Sequence, residues 1–330
     1  LSTADGPANP TLSGSVFGGS YGTYKGDLQF GGTDGRFNYN YDGSRFHTDG
    51  YRDHSTVTRD LYNAKFKMPA GNNGQLTFVL NSIDQPETQD PLGLNRTQLS
   101  QNARQADPSA LLFNTRKSVR QSQLGVVYDV NISATDKIQA RTYVGDRQVT
   151  QYQAIPLTGK SSQLLPTSSG GVVDQDFGYG GIGLRWTHNV FTGERPLDVT
   201  AGFDYDRMAQ HRMGYINNNG IQGALKRDEE NKGTNSDAFA QAEWKFAPRW
   251  SASAGLRYNK VKFDSLDFYL SNGNDSGAVT YTKTTPVAGL LFKVTPWLNA
   301  YANIGRGFET PTLIELAYKN VGAGLNFALQ

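Results

Sequence analysis

The chain has 330 residues, of which 37 % are hydrophobic and 12 % aromatic, with a net charge of +2 and no cysteine. The lack of cysteine excludes disulfides, thiol catalysis and cysteine-based metal sites, and the small net charge gives no argument for nucleic acid as a partner. No segment has the apolar length that a membrane-spanning helix needs, but a barrel stays possible because only alternate residues of its strands face lipid.

Runs of about ten residues that alternate apolar and polar side chains recur along the chain, each followed by a turn. This is the period of a strand whose two faces meet different surroundings. The pattern predicts about thirteen strands, at residues 11–20, 23–32, 35–46, 59–69, 74–83, 117–131, 136–150, 176–190, 196–210, 236–246, 250–265, 278–293 and 297–306. The predicted fold is all-β, a transmembrane antiparallel β-barrel with lipid outside and water inside.

From the second strand on, the predicted connections alternate in length; the first one, at 21–22, is short where a long loop is due. The short connections are residues 33–34, 70–73, 132–135, 191–195, 247–249 and 294–296. The long ones are residues 47–58, 84–116, 151–175, 211–235 and 266–277. Short turns on one rim and long loops on the other are typical of an outer-membrane barrel.

All four tryptophans lie beside predicted short turns, at Trp186, Trp244, Trp250 and Trp297. The first three fall on the apolar face of their strands, and Trp297 does not. This placement favours an aromatic girdle at one membrane interface over core tryptophans of a soluble sandwich, because random core positions would not favour one rim.

The chain shows no motif of an enzyme: no Gly-x-Ser-x-Gly elbow, no His-Glu-x-x-His and no phosphate-binding loop. His47 and His54 share one loop with Asp49 and Asp53, which allows a metal site. A polar hairpin tip is favoured instead, because the ligand spacing is not tight. We therefore expect no catalytic residue, no metal and no cofactor.

Seven arginines lie in, or at the foot of, the predicted long loops: Arg96, Arg104, Arg116, Arg120, Arg147, Arg212 and Arg227. A guanidinium offers a fixed fork of donors that suits carboxylates and phosphates. Two interpretations stay open, an anionic ligand on one side and lipopolysaccharide phosphates or neighbouring carboxylates on the other. The candidate substrate-binding residues are Arg104, Arg116, Arg120, Arg147, Tyr152 and Arg212.

The run from Gly305 to Leu316 resembles the barrel signature of TonB-dependent outer-membrane receptors. The residues that carry the resemblance are Arg306, Gly307, Phe308, Thr310 and Pro311, for which a structural role is expected. Further segments resemble an enterobacterial member of this family, at residues 48–55, 114–117, 150–156, 185–188 and 322–327. The resemblance runs along nearly the whole chain.

The resemblance implies a twenty-two-stranded barrel in the outer membrane of a Gram-negative bacterium, plugged by an N-terminal globular domain. It implies import of a scarce nutrient, usually a ferric siderophore or another iron chelate, driven through TonB, ExbB and ExbD acting on the plug. Outer-membrane lipid, lipopolysaccharide, phages and bacteriocins are the other partners that it suggests. A passive porin-like barrel and a surface or phage-binding protein are the alternatives.

The chain starts at about the first barrel strand, without a plug or a TonB box, and ends after the thirteenth. A sheet of thirteen strands with two open edges could not lie in lipid, because the backbone groups of its edge strands would lack hydrogen bonds. We therefore expect residues 1–330 to be a single, incomplete domain, the N-terminal part of the barrel of a longer polypeptide.

Overall fold

A computed structural model of the chain describes residues 4–192, 195–316 and 325–329. Thirteen strands form one antiparallel sheet, in which neighbours in sequence are neighbours in the sheet. They are β1 (Thr11–Gly18), β2 (Tyr24–Asp34), β3 (Phe37–Thr48), β4 (Val57–Ala70), β5 (Gly74–Gln89), β6 (Arg116–Asn131), β7 (Asp136–Tyr152), β8 (Val172–Thr192), β9 (Arg195–Asn218), β10 (Ile221–Ala247), β11 (Trp250–Asp267), β12 (Gly277–Thr295) and β13 (Leu298–Gly305). The predicted all-β antiparallel fold is confirmed.

Three short helices lie outside the sheet: α1 (Arg96–Gln101), α2 (Pro108–Leu112) and α3 (Leu313–Leu316). No helix among the described residues has the length and apolar character needed to cross a membrane.

Because apolar and polar side chains alternate along each strand, the sheet has one apolar face and one polar face. The register places Leu184 opposite Phe203 on what we call the apolar face, and Gly183 opposite Asp204 on what we call the polar face. Large apolar side chains remain exposed on the first of these, Leu184 by 55 % and Ile304 by 77 %. Exposed apolar rows of this extent mark a contact with a membrane or a protein.

Small residues of β8 let side chains of β7 and β9 meet across the polar face. Arg141 Nη2 donates to Asp204 Oδ1 over 2.8 Å, although Gly183 lies between them in the sheet. A Cβ at Gly183 would lie 2.6 Å from Arg141 Nε, so a larger residue would displace the guanidinium. The same arrangement recurs one step along the strands with Tyr143, Gly181 and Asp206.

The two rims differ in the length of their connections. On the short-turn rim, β2 to β3, β4 to β5 and β6 to β7 are joined by residues 35–36, 71–73 and 132–135. On the opposite, long-loop rim, residues 90–115 join β5 to β6 and residues 153–171 join β7 to β8. The turn between β8 and β9 includes residues 193–194, which lie outside the described residues.

One predicted long loop is instead a continuous hairpin. Residues 211–235 were expected to be a loop, but β9 runs on to Asn218 and β10 starts at Ile221. The turn holds Asn219 and Gly220 at φ of 51° and 88°. The alternation of apolar and polar side chains fades beyond the membrane-facing part of these strands, yet backbone pairing continues, so hydropathy alone does not mark where they end.

The tryptophans lie at the short-turn rim. Trp186 Nε1 donates to Asp136 Oδ1 over 3.0 Å, and the Trp250 ring stacks on Phe292 with centroids 4.4 Å apart. Trp297 lies in the turn between β12 and β13 and is 81 % exposed. Exposed indole rings that lie along one rim, with a hydrogen bond at Trp186, suit a membrane interface.

Few apolar side chains are fully buried, and most of those described lie near the long-loop rim, including Ala106, Ala110, Phe113, Val149 and Val172. In the described part of the chain β1 pairs with β2 alone and β13 with β12 alone, so both edges of the sheet are open.

Candidate functional site

A cavity of about 590 Å³ lies on the polar face of β6 to β10, near the long-loop rim. It receives one cation from each of four strands: Lys117 of β6, Arg147 of β7, Arg212 of β9 and Arg227 of β10. The register explains why they meet, because Arg147 is opposite Phe177 and Arg212 is opposite Gln175, on the same face of β8.

One of these cations is neutralised inside the protein. Arg227 forms a two-point ion pair with Glu229, with Nε to Oε1 at 2.6 Å and Nη2 to Oε2 at 2.7 Å, and Nη1 donates to Ser169 Oγ over 3.2 Å. Both side chains are buried, and Asn231 Nδ2 donates to the same carboxylate over 3.3 Å. This ion pair therefore has a structural role in the sheet, since removal of either partner would leave a buried charge without its counter-ion.

The other three cations of the cavity have no bonded carboxylate among the described residues. No hydrogen bond or ion pair from Lys117, Arg147 or Arg212 to another described side chain is formed, and Arg147 Nε is buried without a hydrogen-bond partner. Cations that are sheltered from water and lack a protein partner favour the approach of an anion.

The surroundings of Arg212 in the cavity shift the pKa of its side chain. β9 has 24 residues, whereas a strand crosses a membrane in about 9–11 residues, so Arg212 lies beyond the membrane-spanning part. Burial, together with the neighbouring Arg227 guanidinium, lowers the pKa of Arg212 to about 10, and Glu229 opposes this shift. The side chain is charged at neutral pH, and an anion beside it would relieve the cost of its burial.

The other predicted site residues do not enter the cavity. Arg116 and Tyr152 lie across from each other on the apolar-side surface, where the guanidinium stacks on the ring at 3.6 Å. Arg120 is exposed and shares that side of β6. Arg104 lies in the 90–115 loop, where its Nε donates to the Tyr51 carbonyl over 3.2 Å. Of the six candidates, the structure therefore brings together Arg147 and Arg212.

Sequence inspection missed the pair that holds the loops above the cavity. Gln163 and Asn217 are fully buried; Gln163 Nε2 donates to the Asn217 carbonyl over 2.9 Å, and Asn217 N donates to Gln163 Oε1 over 2.6 Å. Asn217 Nδ2 also donates to the carbonyls of Phe113 and Gln153 over 2.8 and 3.1 Å. One asparagine thus joins the 90–115 loop, the 153–171 loop and the β9–β10 hairpin.

A signal for this hairpin is present in the sequence. Asn219-Gly220 is the dipeptide that favours a two-residue hairpin turn, because both positions take positive φ. Asn217 Oδ1 accepts from Gly220 N over 2.7 Å. This dipeptide predicts the turn more directly than the hydropathy of its flanks does.

The histidines of the first long loop have separate partners. His47 Nδ1 lies 2.9 Å from Thr58 Oγ1 and its Nε2 lies 3.3 Å from Asp49 Oδ1, while His54 Nε2 lies 2.8 Å from the Thr115 carbonyl. No group of three metal-ligating side chains occurs within residues 4–192, 195–316 and 325–329.

The signature run follows β13 directly. Arg306 N donates to the Pro286 carbonyl over 3.0 Å, which extends the pairing of β12 and β13 by one bond. Beyond Pro311, Thr312 and Glu315 form reciprocal hydrogen bonds that cap α3. Residues 322–324 of the predicted resemblance lie outside the described residues.

The sequence model of the TonB-dependent receptor-like β-barrel matches residues 10–329. Among solved structures, the ferric citrate transporter FecA in its unliganded form has a TM-score of 0.73 at 18 % identity, over 91 % of this chain and 43 % of FecA. The open form of the ferric-catecholate import receptor Fiu from E. coli K12 has 0.72 at 14 %, over 92 % and 55 %. The siderophore receptor PiuA from Acinetobacter baumannii has 0.70 at 11 %, over 91 % and 50 %.

At these identities the structural likeness shows the fold, and the chain spans about half the length of the structures that it matches. Membership of the family rests on the sequence model, which covers nearly the whole chain. The chain belongs to the TonB-dependent receptors, whose β-barrels lie in the outer membrane of Gram-negative bacteria.

Proposed function

We propose that the chain forms part of the wall of an energised outer-membrane receptor that imports an anionic ferric chelate. The observation that carries the proposal is the cavity on the polar face, where Lys117, Arg147 and Arg212 have no carboxylate bonded to them among the described residues. The long-loop rim is then the extracellular side, because outer-membrane barrels have short periplasmic turns.

The chemistry of the cavity suits a ligand with several anionic oxygens. Guanidinium groups bind carboxylates and other oxygen anions through paired hydrogen bonds. The volume of about 590 Å³ lies within the roughly 300–1,000 Å³ of small-molecule sites. Two of the similar structures are named as a ferric citrate transporter and a ferric-catecholate receptor, and both of these chelates belong to this class of ligand.

The open edges of the sheet support a second part of the proposal. An unpaired strand edge in lipid leaves backbone groups without hydrogen bonds, which costs several kcal/mol for each group. We propose that residues 1–330 are one part of a barrel completed by further strands. Coupling to TonB, ExbB and ExbD would act through a plug portion of the same receptor.

The decisive experiment is a binding and uptake screen of the full-length receptor against ferric siderophores that differ in charge. We expect an anionic chelate to bind, and the double variant Arg147→Gln with Arg212→Gln to bind it roughly a hundredfold more weakly, since each charged hydrogen bond contributes about 1.5–3 kcal/mol. Arg45→Gln is the matched control, because Arg45 is exposed on the opposite face, at β3.

Three results would contradict the proposal: unchanged binding by the folded double variant, preference for an uncharged or cationic chelate, or uptake that persists when the proton-motive force is collapsed. The last result would mark a passive porin-like barrel. Migration of the unheated protein on a gel reports whether each variant has folded.

A further inference from the structure

The polar face carries an apolar cluster next to the cationic cavity, on its short-turn side. Phe177 lines the cavity, and Tyr179 is the next residue on the same face of β8. Tyr179 is opposite Met208 of β9. Met208 and Phe263 of β11 are both opposite Gly233 of β10. Strands β8, β9 and β11 thus contribute large apolar side chains to one region of the polar face, and we call Phe177, Tyr179, Met208 and Phe263 the apolar cluster.

The glycine of β10 lets side chains of β9 and β11 meet above it. A Cβ at Gly233 would lie 3.5 Å from Phe263 Cε1 and 3.7 Å from Met208 Cε, so both side chains reach over this position. The Phe263 ring also packs edge-on against Tyr281, with ring centroids 6.5 Å apart. Because thioether sulfur and aromatic rings attract each other, these contacts form one continuous apolar surface.

The apolar cluster is only partly covered. All four of its side chains are half-buried, so a part of each remains open on the polar face. Apolar surface that faces water costs free energy until an apolar group covers it. Successive residues on one face of a strand are about 7 Å apart, so the cluster and the cations of the cavity lie within reach of one bound molecule.

We propose that the imported chelate carries aryl rings, with phenolate or catecholate oxygens as its iron ligands, and that these rings pack against the apolar cluster. This inference rests on the import of an anionic chelate proposed above and names the chemical class of that chelate. The cations of the cavity bind the anionic oxygens, and the rings pack on Phe177, Tyr179 and Phe263 in offset or edge-on arrangements. An aliphatic chelate such as ferric citrate offers oxygens to the cavity but no ring to the cluster.

The test compares two anionic probes on the full-length receptor, the ferric complex of dihydroxybenzoate, which has catecholate oxygens, and ferric citrate, both labelled with radioactive iron. The wild-type receptor should bind the catecholate complex at least about tenfold more tightly, because each ring-to-ring contact is worth about a two- to tenfold change in affinity. The double variant Phe177→Leu with Phe263→Leu removes the rings and keeps apolar side chains, so it should lose most of this preference. Phe239→Leu is the matched control, since Phe239 lies on the same face, about 20 Å along β10 from Gly233 toward the short-turn rim.

Two results would overturn this inference and leave the proposed anion site in place: equal affinity of the wild-type receptor for the two probes, or an equal loss of both in the folded double variant. The second result would show that the cluster packs against another part of the receptor. A receptor that binds neither probe and takes an uncharged chelate would remove the proposed function together with this inference. A double variant that fails the gel test of folding is replaced by Met208→Gln, for which about a threefold loss of the catecholate complex alone is expected.

Discussion

A buried asparagine contributes to holding two loops of the long-loop rim in place. Asn217 bonds to backbone groups of two loops and of its own turn, and Gln163 completes the set from the side of the 153–171 loop. Backbone carbonyls that are buried in this way need a donor, and a missing donor costs about 1–3 kcal/mol for each group. The position of the loops above the cationic cavity therefore depends in part on Asn217.

Asn217→Ala should loosen the loops and leave the sheet intact. The two carbonyls and the Gly220 amide lose their partner, so we expect faster amide hydrogen exchange in residues 106–115 and 153–163, by one to two orders of magnitude. Hydrogen exchange with mass spectrometry of the full-length receptor measures this directly. Asn218→Ala is the control, because Asn218 is exposed; equal exchange in both variants would contradict the role given to Asn217.

Whether an arginine faces the cavity could have been predicted by counting along its strand. Arg120 has the same parity as Leu124 and Val126, which belong to the apolar face of β6, whereas Arg147 has the opposite parity to Val144 on β7. The pairing of Arg227 with Glu229 could not be predicted, because it depends on the hairpin geometry beyond the membrane. The sequence predicts arginines as a class, and strand parity separates those that face the cavity from those that do not.

At the scale of elements, the segment before β1 is tied to the sheet by charge. Asp5 lies within ion-pair distance of Lys65 and Lys67 of β4, at 2.7 and 2.5 Å. Asn38 adds hydrogen bonds in both directions to the backbone of Gly6, at 2.9 and 2.8 Å. The segment thus lies on the polar face of the first strands and is not free in solvent.

This attachment should weaken in acid. Hydrogen bonds from Lys65 and then Lys67 lower the pKa of Asp5 below its ordinary value of 3.8. A lowered carboxyl pKa stabilises the bound segment above the unfolded value and loses that contribution as the pH falls through the folded value. We therefore expect the segment to be held at pH 5 to 7 and to lose its ion pairs only at a pH below 3.8, as the pH falls through the lowered pKa of Asp5.

Residues 1–330 have no cysteine, so Ala8→Cys adds the one label site of this part of the receptor. Any cysteine elsewhere in the full-length receptor is replaced by serine, and the mobility of a spin label at Ala8→Cys then reports the attachment. Mobility should rise on acidification in the full-length receptor, and Asp5→Asn should raise it at neutral pH as well. A label that Asp5→Asn leaves immobile at neutral pH would show that the hydrogen bonds of Asn38 hold the segment without the ion pairs.

Strand number and order were predictable, because one face of each strand meets lipid and the other meets water. The upper limits of β9 and β10 were not, since side chains on both faces are polar beyond the membrane. Lys232 and Asn231 lie on opposite faces there and neither is apolar. Pairing in this region follows from backbone hydrogen bonds, which leave no mark in hydropathy.

At the scale of the whole molecule, we expect the sheet to be stable in a membrane only when both of its edge strands are paired. β1 and β13 each have one paired neighbour among the described strands. We expect that residues 1–330 produced alone in detergent will not give the compact band that changes mobility on heating, whereas the full-length receptor will. A compact, heat-sensitive monomer of these 330 residues would contradict the proposal that further strands complete the barrel.

The contacts across Gly183 have a mechanical consequence. A sheet normally bends by rotation of each strand relative to its nearest neighbour. Arg141 of β7 reaches Asp204 of β9 over 2.8 Å, and Arg257 of β11 lies 4.0 Å from the same carboxylate, so second neighbours are tied on both sides. These contacts connect five strands across the polar face, so we expect this part of the sheet to bend less than strands that contact only their nearest neighbours. If the proposed transport widens the barrel, we expect the widening to occur elsewhere along the circumference.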